Sequence, residues 1–155
     1  MADITTQYRS QQTFEGGSWT QGIDEVVLTI ILPPNTRGRD LDVTITASTL
    51  DVKMRKGNCL GLPLHGPLFA SIDSSASNWT VLDGVLMVSL HKAVRDASRC
   101  WPSVYRDGRL ATESMVLDGM QRTMTLERYQ RECPGFDFSN ADVSGNYQQG
   151  GHQAP

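Results

Sequence analysis

The chain has 155 residues, a formal net charge of −3 and 39% hydrophobic residues. This is enough apolar material for one folded domain, and the slightly acidic balance argues against a dedicated nucleic-acid binder. The longest apolar run, residues 26–32, is interrupted by Thr29 and is far shorter than the ~20 residues of a membrane-spanning helix. We therefore expect a protein that is not embedded in a membrane and does not bind nucleic acid.

Three widely spaced cysteines and the start of the chain bear on its location. Cys59, Cys100 and Cys133 form no Cys-x-x-Cys pair, which is typical of reduced thiols in the cytoplasm. The first fifteen residues contain no apolar run of the kind found in secretory signal peptides. Both observations predict a cytoplasmic protein.

Composition divides the chain into four predicted segments. Residues 1–15 are polar and predict a flexible tail, whereas residues 16–105 contain nearly all of the strand patterns. Residues 106–147 predict a helical and extended C-terminal extension. Residues 148–155 have nothing to bury and predict a disordered tail.

Alternation of apolar and polar residues predicts β-strands. Apolar side chains fall on odd positions in residues 42–47, and on even positions in residues 50–55 and 86–90. Residues 25–32 are apolar on both faces, which predicts a central strand covered on both sides. Six or so short strands with no helix among them predict an all-β antiparallel sandwich.

Turn signals and inward positions complete the predicted sandwich. The Asp83-Gly84 pair between two strand patterns predicts a hairpin with a type I′ turn, since both residues tolerate positive φ. Lys56-Gly57-Asn58 predicts a second turn. The predicted core residues are Val43, Ile45, Val52, Trp79, Val88, Leu90 and Trp101.

Apolar spacings of three and four predict helix after Ala111, ended by Pro134-Gly135, with Thr112 or Ser114 as the N-cap. The apolar residues move from one face of the predicted helix to another near residues 123–125. This pattern leaves open either one kinked helix or two short helices. One predicted face has Val116, Met120 and Met124, and the other has Leu126, Tyr129 and Cys133. We expect the apolar residues of the extension to pack on the sandwich or on a second copy of the chain.

The residue patterns predict no catalytic residue, no metal site and no cofactor. His65, His91 and His152 have no partner in a recognisable pattern, and no metal-ligand or phosphate-loop spacing occurs. Trp19 is interpreted as a residue that seals one edge of the domain, with an aromatic anchor for a partner as the alternative. The chain is therefore predicted not to be an enzyme.

Charged residues on outward strand positions are the predicted partner-binding residues. Lys53 and Arg55 lie on one predicted strand, and Lys92 and Arg95 follow the strand after the hairpin. With Asp51 on the same predicted strand and Asp42 on its neighbour, these residues form a mixed-sign surface, and such surfaces favour transient, salt-sensitive contacts. The alternative interpretation is that these charges only keep strand edges soluble.

Several motifs together resemble the CS domain. They begin with Trp19-Thr20-Gln21 and the apolar residues 25–33, and continue with residues 77–84, Ser-Asn-Trp-Thr-Val-Leu-Asp-Gly, which lead into residues 88–92. The sequence after residue 119 makes this resemblance specific to one family of proteins with a CS domain. Residues 120–147, which include Pro-Gly-Phe-Asp-Phe-Ser, are similar to the NudC domain-containing protein 2 family.

This resemblance implies a CS domain over residues 16–105: a seven- to eight-stranded, small-heat-shock-like β-sandwich with a C-terminal helical extension. It implies a co-chaperone that binds heat-shock protein 90 and helps to stabilise or fold clients such as the lissencephaly protein, a regulator of dynein. It also implies a cytoplasmic location, with the cytoskeleton, centrosome or spindle as further sites. The alternative is a structural or adaptor subunit of a dynein or cytoskeletal assembly, and a homodimer is left open.

Overall fold

The structure is a computed structural model that describes residues 10–55 and 64–133. The predicted turn at residues 56–58 and the predicted segments after residue 133 lie outside the described residues. A 3-10 turn, Gly38–Asp40, precedes the fourth strand. The described elements are β1 (Gln12–Phe14), β2 (Gly17–Gln21), β3 (Glu25–Ile31), β4 (Leu41–Ile45), β5 (Leu50–Met54), β6 (Ile72–Leu82), β7 (Val85–Lys92) and α1 (Ser114–Glu132).

The strands form two antiparallel sheets. The larger has the order β1-β2-β3-β7-β6, and the smaller is the pair β4-β5. The chain returns along the free side of β5, where the Val52 N–H donates to the Leu64 carbonyl at 2.8 Å and the Leu50 N–H to the Gly66 carbonyl at 3.3 Å. The predicted all-β antiparallel fold with a C-terminal helix is confirmed.

The core lies between the sheets and follows from the strand register. Trp19, Leu28, Val88 and Trp79 are neighbours in one row across β2, β3, β7 and β6. Leu28 and Val88 are fully buried at the centre of this row. Of the predicted core residues, those that are buried are Val52, Val88, Leu90 and Trp101, and those that are half-buried against the core are Val43, Ile45 and Trp79.

The hairpin prediction is confirmed, and the prediction for β3 is confirmed in part. Asp83 and Gly84 have φ angles of 53° and 77°, so both occupy the left-handed region that a type I′ turn requires. Strand β3 is central in its sheet, but it is not covered on both faces, because Ile31 is 67% exposed. Its outward side chains belong to a surface described below.

Strand β1 lies inside the segment that composition predicted to be a flexible tail. That prediction is wrong for Gln12–Phe14, which pairs with Gly17–Trp19 of β2. Gln12 is buried, and its side-chain carbonyl accepts a hydrogen bond from the Glu113 N–H at 2.8 Å. A glutamine satisfied in this way cannot be distinguished from a solvated one by composition alone.

Helix α1 is continuous through the point where the apolar stripe shifts, so of the two alternatives the two short helices are wrong. The N-cap predictions are wrong. Glu113 occupies the N-cap position without a side-chain hydrogen bond, while the Thr112 hydroxyl donates to the Pro102 carbonyl at 3.0 Å. The predicted end before Pro134 is confirmed, because the helix stops at Glu132. Within the described residues, no helix combines the length and the apolar character needed to cross a bilayer.

The apolar face of α1 packs on the sandwich. Met120 is fully buried and belongs to the main core, while Met124 is fully buried against Ile23 and Ala97. Met115, in the first turn, is 85% exposed. The helix therefore covers the end of the sandwich next to β2 with part of its methionine set.

Two polar contacts tie α1 to the turn between β2 and β3. The buried Glu127 carboxylate accepts a hydrogen bond from the Ile23 N–H at 3.0 Å. The Arg131 guanidinium donates to both carboxylate oxygens of Asp24, at 3.1 and 2.6 Å. These hydrogen bonds from Arg131 hold the pKa of Asp24 below its usual value, so this contact weakens only in acid.

Removing the Glu127 carboxylate is expected to destabilise the protein. In Glu127→Ala the buried Ile23 N–H loses its acceptor, which costs about 1–3 kcal/mol. Glu127→Gln retains a carbonyl oxygen that can accept the same hydrogen bond, so it should lose less stability. Urea denaturation followed by tryptophan fluorescence measures the difference, and equal losses in the two variants would contradict this role.

Candidate protein-interaction surfaces

The side of the five-stranded sheet that faces away from the core, called here the outer sheet face, is apolar near the hairpin. Ile31, Val85 and Leu82 are direct neighbours across β3, β7 and β6. Met87 is the next outward residue along β7. Leu82, Ile31 and Met87 are 71%, 67% and 47% exposed. Four apolar side chains therefore adjoin one another on a surface open to solvent.

Beyond this apolar group, the outer sheet face remains uncharged for two further rows of residues. Among the described strand residues of this face, charged or titratable side chains first appear at the opposite end, where Glu25 and Asp73 are both cross-strand neighbours of His91. The uncharged outward residues are Ser18, Thr20, Val27, Thr29, Asn78, Thr80 and Ser89. An exposed apolar group within an uncharged surface is typical of a protein-interaction site.

A second candidate surface, called here the basic patch, consists of Arg39, Lys53 and Arg55. All three side chains are exposed. The Arg55 side chain is steadied because its Nε donates to the Leu41 carbonyl at 3.2 Å. An open cleft at the end of the β4-β5 pair is lined by Arg39, Asp40, Met54 and Arg55. The structure thus brings together two of the predicted partner-binding residues, Lys53 and Arg55.

Lys92 does not belong to any exposed surface, so its prediction as a partner-binding residue is wrong. Its side chain is 1% exposed, and its Nζ donates to the Gln21 Oε1 at 2.8 Å and to the Arg99 carbonyl at 3.1 Å. The reason is the strand period, since the inward alternation of residues 86–90 continues to Lys92. Arg95 is exposed, and its Nε donates to the Lys92 carbonyl at 3.1 Å.

Trp101 and Trp19 are both structural. Gln21 is fully buried, and its side-chain amide exchanges hydrogen bonds with the backbone of Trp101, at 2.8 and 2.7 Å. Trp19 is 1% exposed, and its indole N–H donates to the Leu110 carbonyl at 2.9 Å. The alternative of Trp19 as a partner anchor is therefore wrong.

The outer sheet face also brings together a serine, a histidine and a glutamate. The Ser89 hydroxyl donates to the Glu25 Oε1 at 3.1 Å, and the His91 Nε2 lies 3.8 Å from the same oxygen. The register between β3 and β7 creates this grouping, so no pattern within the sequence reveals it. Because the serine bonds to the carboxylate, the imidazole is not placed to take its proton, as a nucleophile–base pair requires.

The other candidate chemical groups are separated. His65 is exposed, Cys100 is half-buried and Cys133 is exposed. Burial raises the pKa of the Cys100 thiol to about 11, so it is protonated at neutral pH. Among residues 10–55 and 64–133, no three metal-binding side chains lie close enough to hold a metal ion. His152 and Cys59 lie outside the described residues.

Comparison with known proteins identifies the family. The CS domain model matches residues 16–92. Human NudC domain-containing protein 2 is 38% identical over 136 residues, which is 87% of this chain and 83% of that protein, and the mouse protein gives the same values. The chain belongs to the NudC domain-containing protein 2 family.

The fold agrees with this family assignment. The CS domain of the human KIAA1068 protein superposes with a TM-score of 0.56 at 20% identity, covering 67% of this chain and 82% of that one. At that identity the likeness shows the fold alone. The NudC domain-containing protein 2 family is a family of NudC-like co-chaperones.

Proposed function

We propose that this protein is a non-enzymatic NudC-like co-chaperone. It holds aggregation-prone clients at the outer sheet face and contacts heat-shock protein 90 through the basic patch. The observation that carries the proposal is the apolar group formed by the exposed Ile31, Leu82 and Met87 around the half-buried Val85. The arrangement of Ser89, Glu25 and His91 supports binding rather than catalysis.

Client binding at the outer sheet face follows from its chemistry. Non-native proteins expose apolar side chains that folded proteins bury, and these gain free energy by contact with other apolar surface. Leu82 and Ile31 are largely exposed, so they provide such surface. The surrounding threonines and serines keep the face compatible with water between binding events. This mode of holding needs no nucleotide.

Contact with heat-shock protein 90 is proposed from the family resemblance and from the exposure of Lys53 and Arg55. Arg95, also exposed, is a further contact residue in this proposal. Charged groups at the rim of an interface are screened by salt and contribute modestly. We therefore expect weak binding, of the order of 1 μM, which corresponds to about −8 kcal/mol.

Charge reversal in the basic patch is expected to weaken binding to heat-shock protein 90. Titration calorimetry should show about tenfold weaker binding for Lys53→Glu combined with Arg55→Glu, with a melting temperature only a few degrees lower because the Arg55 hydrogen bond to Leu41 is lost. Arg106→Glu combined with Arg128→Glu changes the net charge equally, at exposed positions elsewhere, and is the control. Absence of heat with the wild type, or equal weakening by the control, would contradict this contact.

The client and the location belong to the same proposal. We propose that the lissencephaly protein is among the clients, which links this protein to dynein, and that it acts in the cytoplasm and at the cytoskeleton. In the alternative function, as an adaptor subunit, the apolar face of α1 would bind a partner protein. Because Met120 and Met124 are buried in the protein's own cores, the co-chaperone function is favoured.

A further inference from the structure

Strand β6 lies at the edge of the five-stranded sheet, where β7 is its only partner among the described strands, and its first residue, Ile72, donates to the Ala47 carbonyl at 2.8 Å. It is the longest strand described, with eleven residues, and no residue from Ser74 to Leu82 is charged. Its pairing with β7 is irregular between Asp73 and Asn78 and regular from Asn78 to the hairpin. Edge strands commonly carry charges or prolines that prevent pairing with another chain, and residues 78–82 have neither.

The type I′ turn determines which backbone groups of β6 point away from the sheet. In a two-residue hairpin, Leu82 and Val85 flank the turn and exchange hydrogen bonds. Antiparallel pairs alternate, so Thr80 also bonds to β7, while Val81 and Trp79 direct their N–H and C=O groups outward. Within residues 10–55 and 64–133, no backbone group pairs with the outward groups of these two residues.

The side chains along this edge are also incompletely covered. Trp79 and Val81 face inward but are only half-buried at the margin of the core. Leu82 faces outward, is 71% exposed and adjoins the apolar group of the outer sheet face. A strand added beside β6 would therefore satisfy the backbone groups and cover apolar surface on both sides of the sheet.

We propose that residues 78–82 of β6 take an extended, uncharged segment of a non-native client as an additional strand. This inference rests on the proposed co-chaperone function and states where and how the client binds. An edge strand can form backbone hydrogen bonds with any extended chain. Because residues 78–82 carry no charge, they do not select a client segment of a particular charge. Segments that alternate apolar and polar residues would place their apolar side chains next to Val81 or next to Leu82.

Amide hydrogen exchange tests this inference because it separates the outward from the inward amides. The probe is an uncharged peptide of alternating valine and threonine, added to the full-length protein at about ten times its Kd. The Trp79 and Val81 amides should exchange about tenfold more slowly, whereas the Thr80 and Leu82 amides, already bonded to β7, should not change. Thr80→Lys should weaken binding of the peptide at least about fivefold. Thr44→Lys, at an exposed position on β4, should leave peptide binding unchanged.

Three outcomes would overturn the inference. The first is peptide binding that leaves the Trp79 and Val81 amides unchanged, which would indicate docking on the outer sheet face alone. The second is concentration-dependent protection of these amides without peptide, accompanied by a dimer in sedimentation, which would make a second copy the occupant. The third is absence of peptide binding. If the protein still suppresses aggregation of a heated client in any of these cases, the co-chaperone function stands while the proposed edge site fails.

Discussion

Val88→Asp is expected to prevent stable folding. Val88 is fully buried at the centre of the row that crosses β2, β3, β7 and β6, so the new carboxylate would be desolvated among apolar side chains. Burying a charge without a partner costs several kcal/mol, a large part of a total stability of about 5–15 kcal/mol. Circular dichroism on heating should show no cooperative transition or a strongly lowered melting temperature.

The neighbouring residue provides the control for this prediction. Met87 lies one position earlier on β7 and faces the opposite side of the sheet, where it is 47% exposed. Met87→Asp introduces the same charge into water and should shift the melting temperature by no more than a few degrees. Similar melting of both variants would show that the assignment of inward and outward residues on β7 is wrong.

Cutting the chain after Tyr105 is expected to have the second largest effect. The cut removes Met120 and Met124 from the buried clusters, and removes the Leu110 carbonyl that accepts from the Trp19 indole. Losing one buried methionine side chain typically costs about 2–5 kcal/mol, so losing both accounts for much of the stability of a domain this size. The shortened protein should melt far below the full chain and bind an apolar dye at room temperature.

A chain cut after Cys133 retains α1 with the contacts described above and is the control for this prediction. It should melt well above the chain cut after Tyr105. If the protein cut after Tyr105 is as soluble and stable as this control, α1 contributes nothing to the core, and its packing on the sandwich is wrong.

Local patterns predicted much of the strand content of this protein. The Asp83-Gly84 turn depends on two adjacent residues, and the alternation on both sides of it depends on the two-residue period of a strand. Lys92 was within reach of the same rule. Lysine is a residue type that favours exposed positions, but the alternation through Leu90 predicts an inward side chain at Lys92.

The remaining features depend on contacts that a single sequence does not reveal. Strand β1 is held by a contact between Gln12 and Glu113, which are separated by 101 residues. The outer sheet face becomes a continuous surface only because β3 pairs with β7 rather than with β4, an order that no local pattern fixes. The pairing of Glu25 with His91 follows from that same order.

Suppression of client aggregation is the most direct test of the central claim, that the outer sheet face holds clients. Light scattering of a heated, heat-labile enzyme should fall when the protein is added without nucleotide. Leu82→Lys combined with Met87→Lys should remove most of this effect while the protein stays folded, because both positions are exposed. Thr44→Lys combined with Met115→Lys, at exposed positions on β4 and α1, should retain it. Scattering unchanged by the wild type, or suppressed equally by the Leu82 and Met87 variant, would contradict the account.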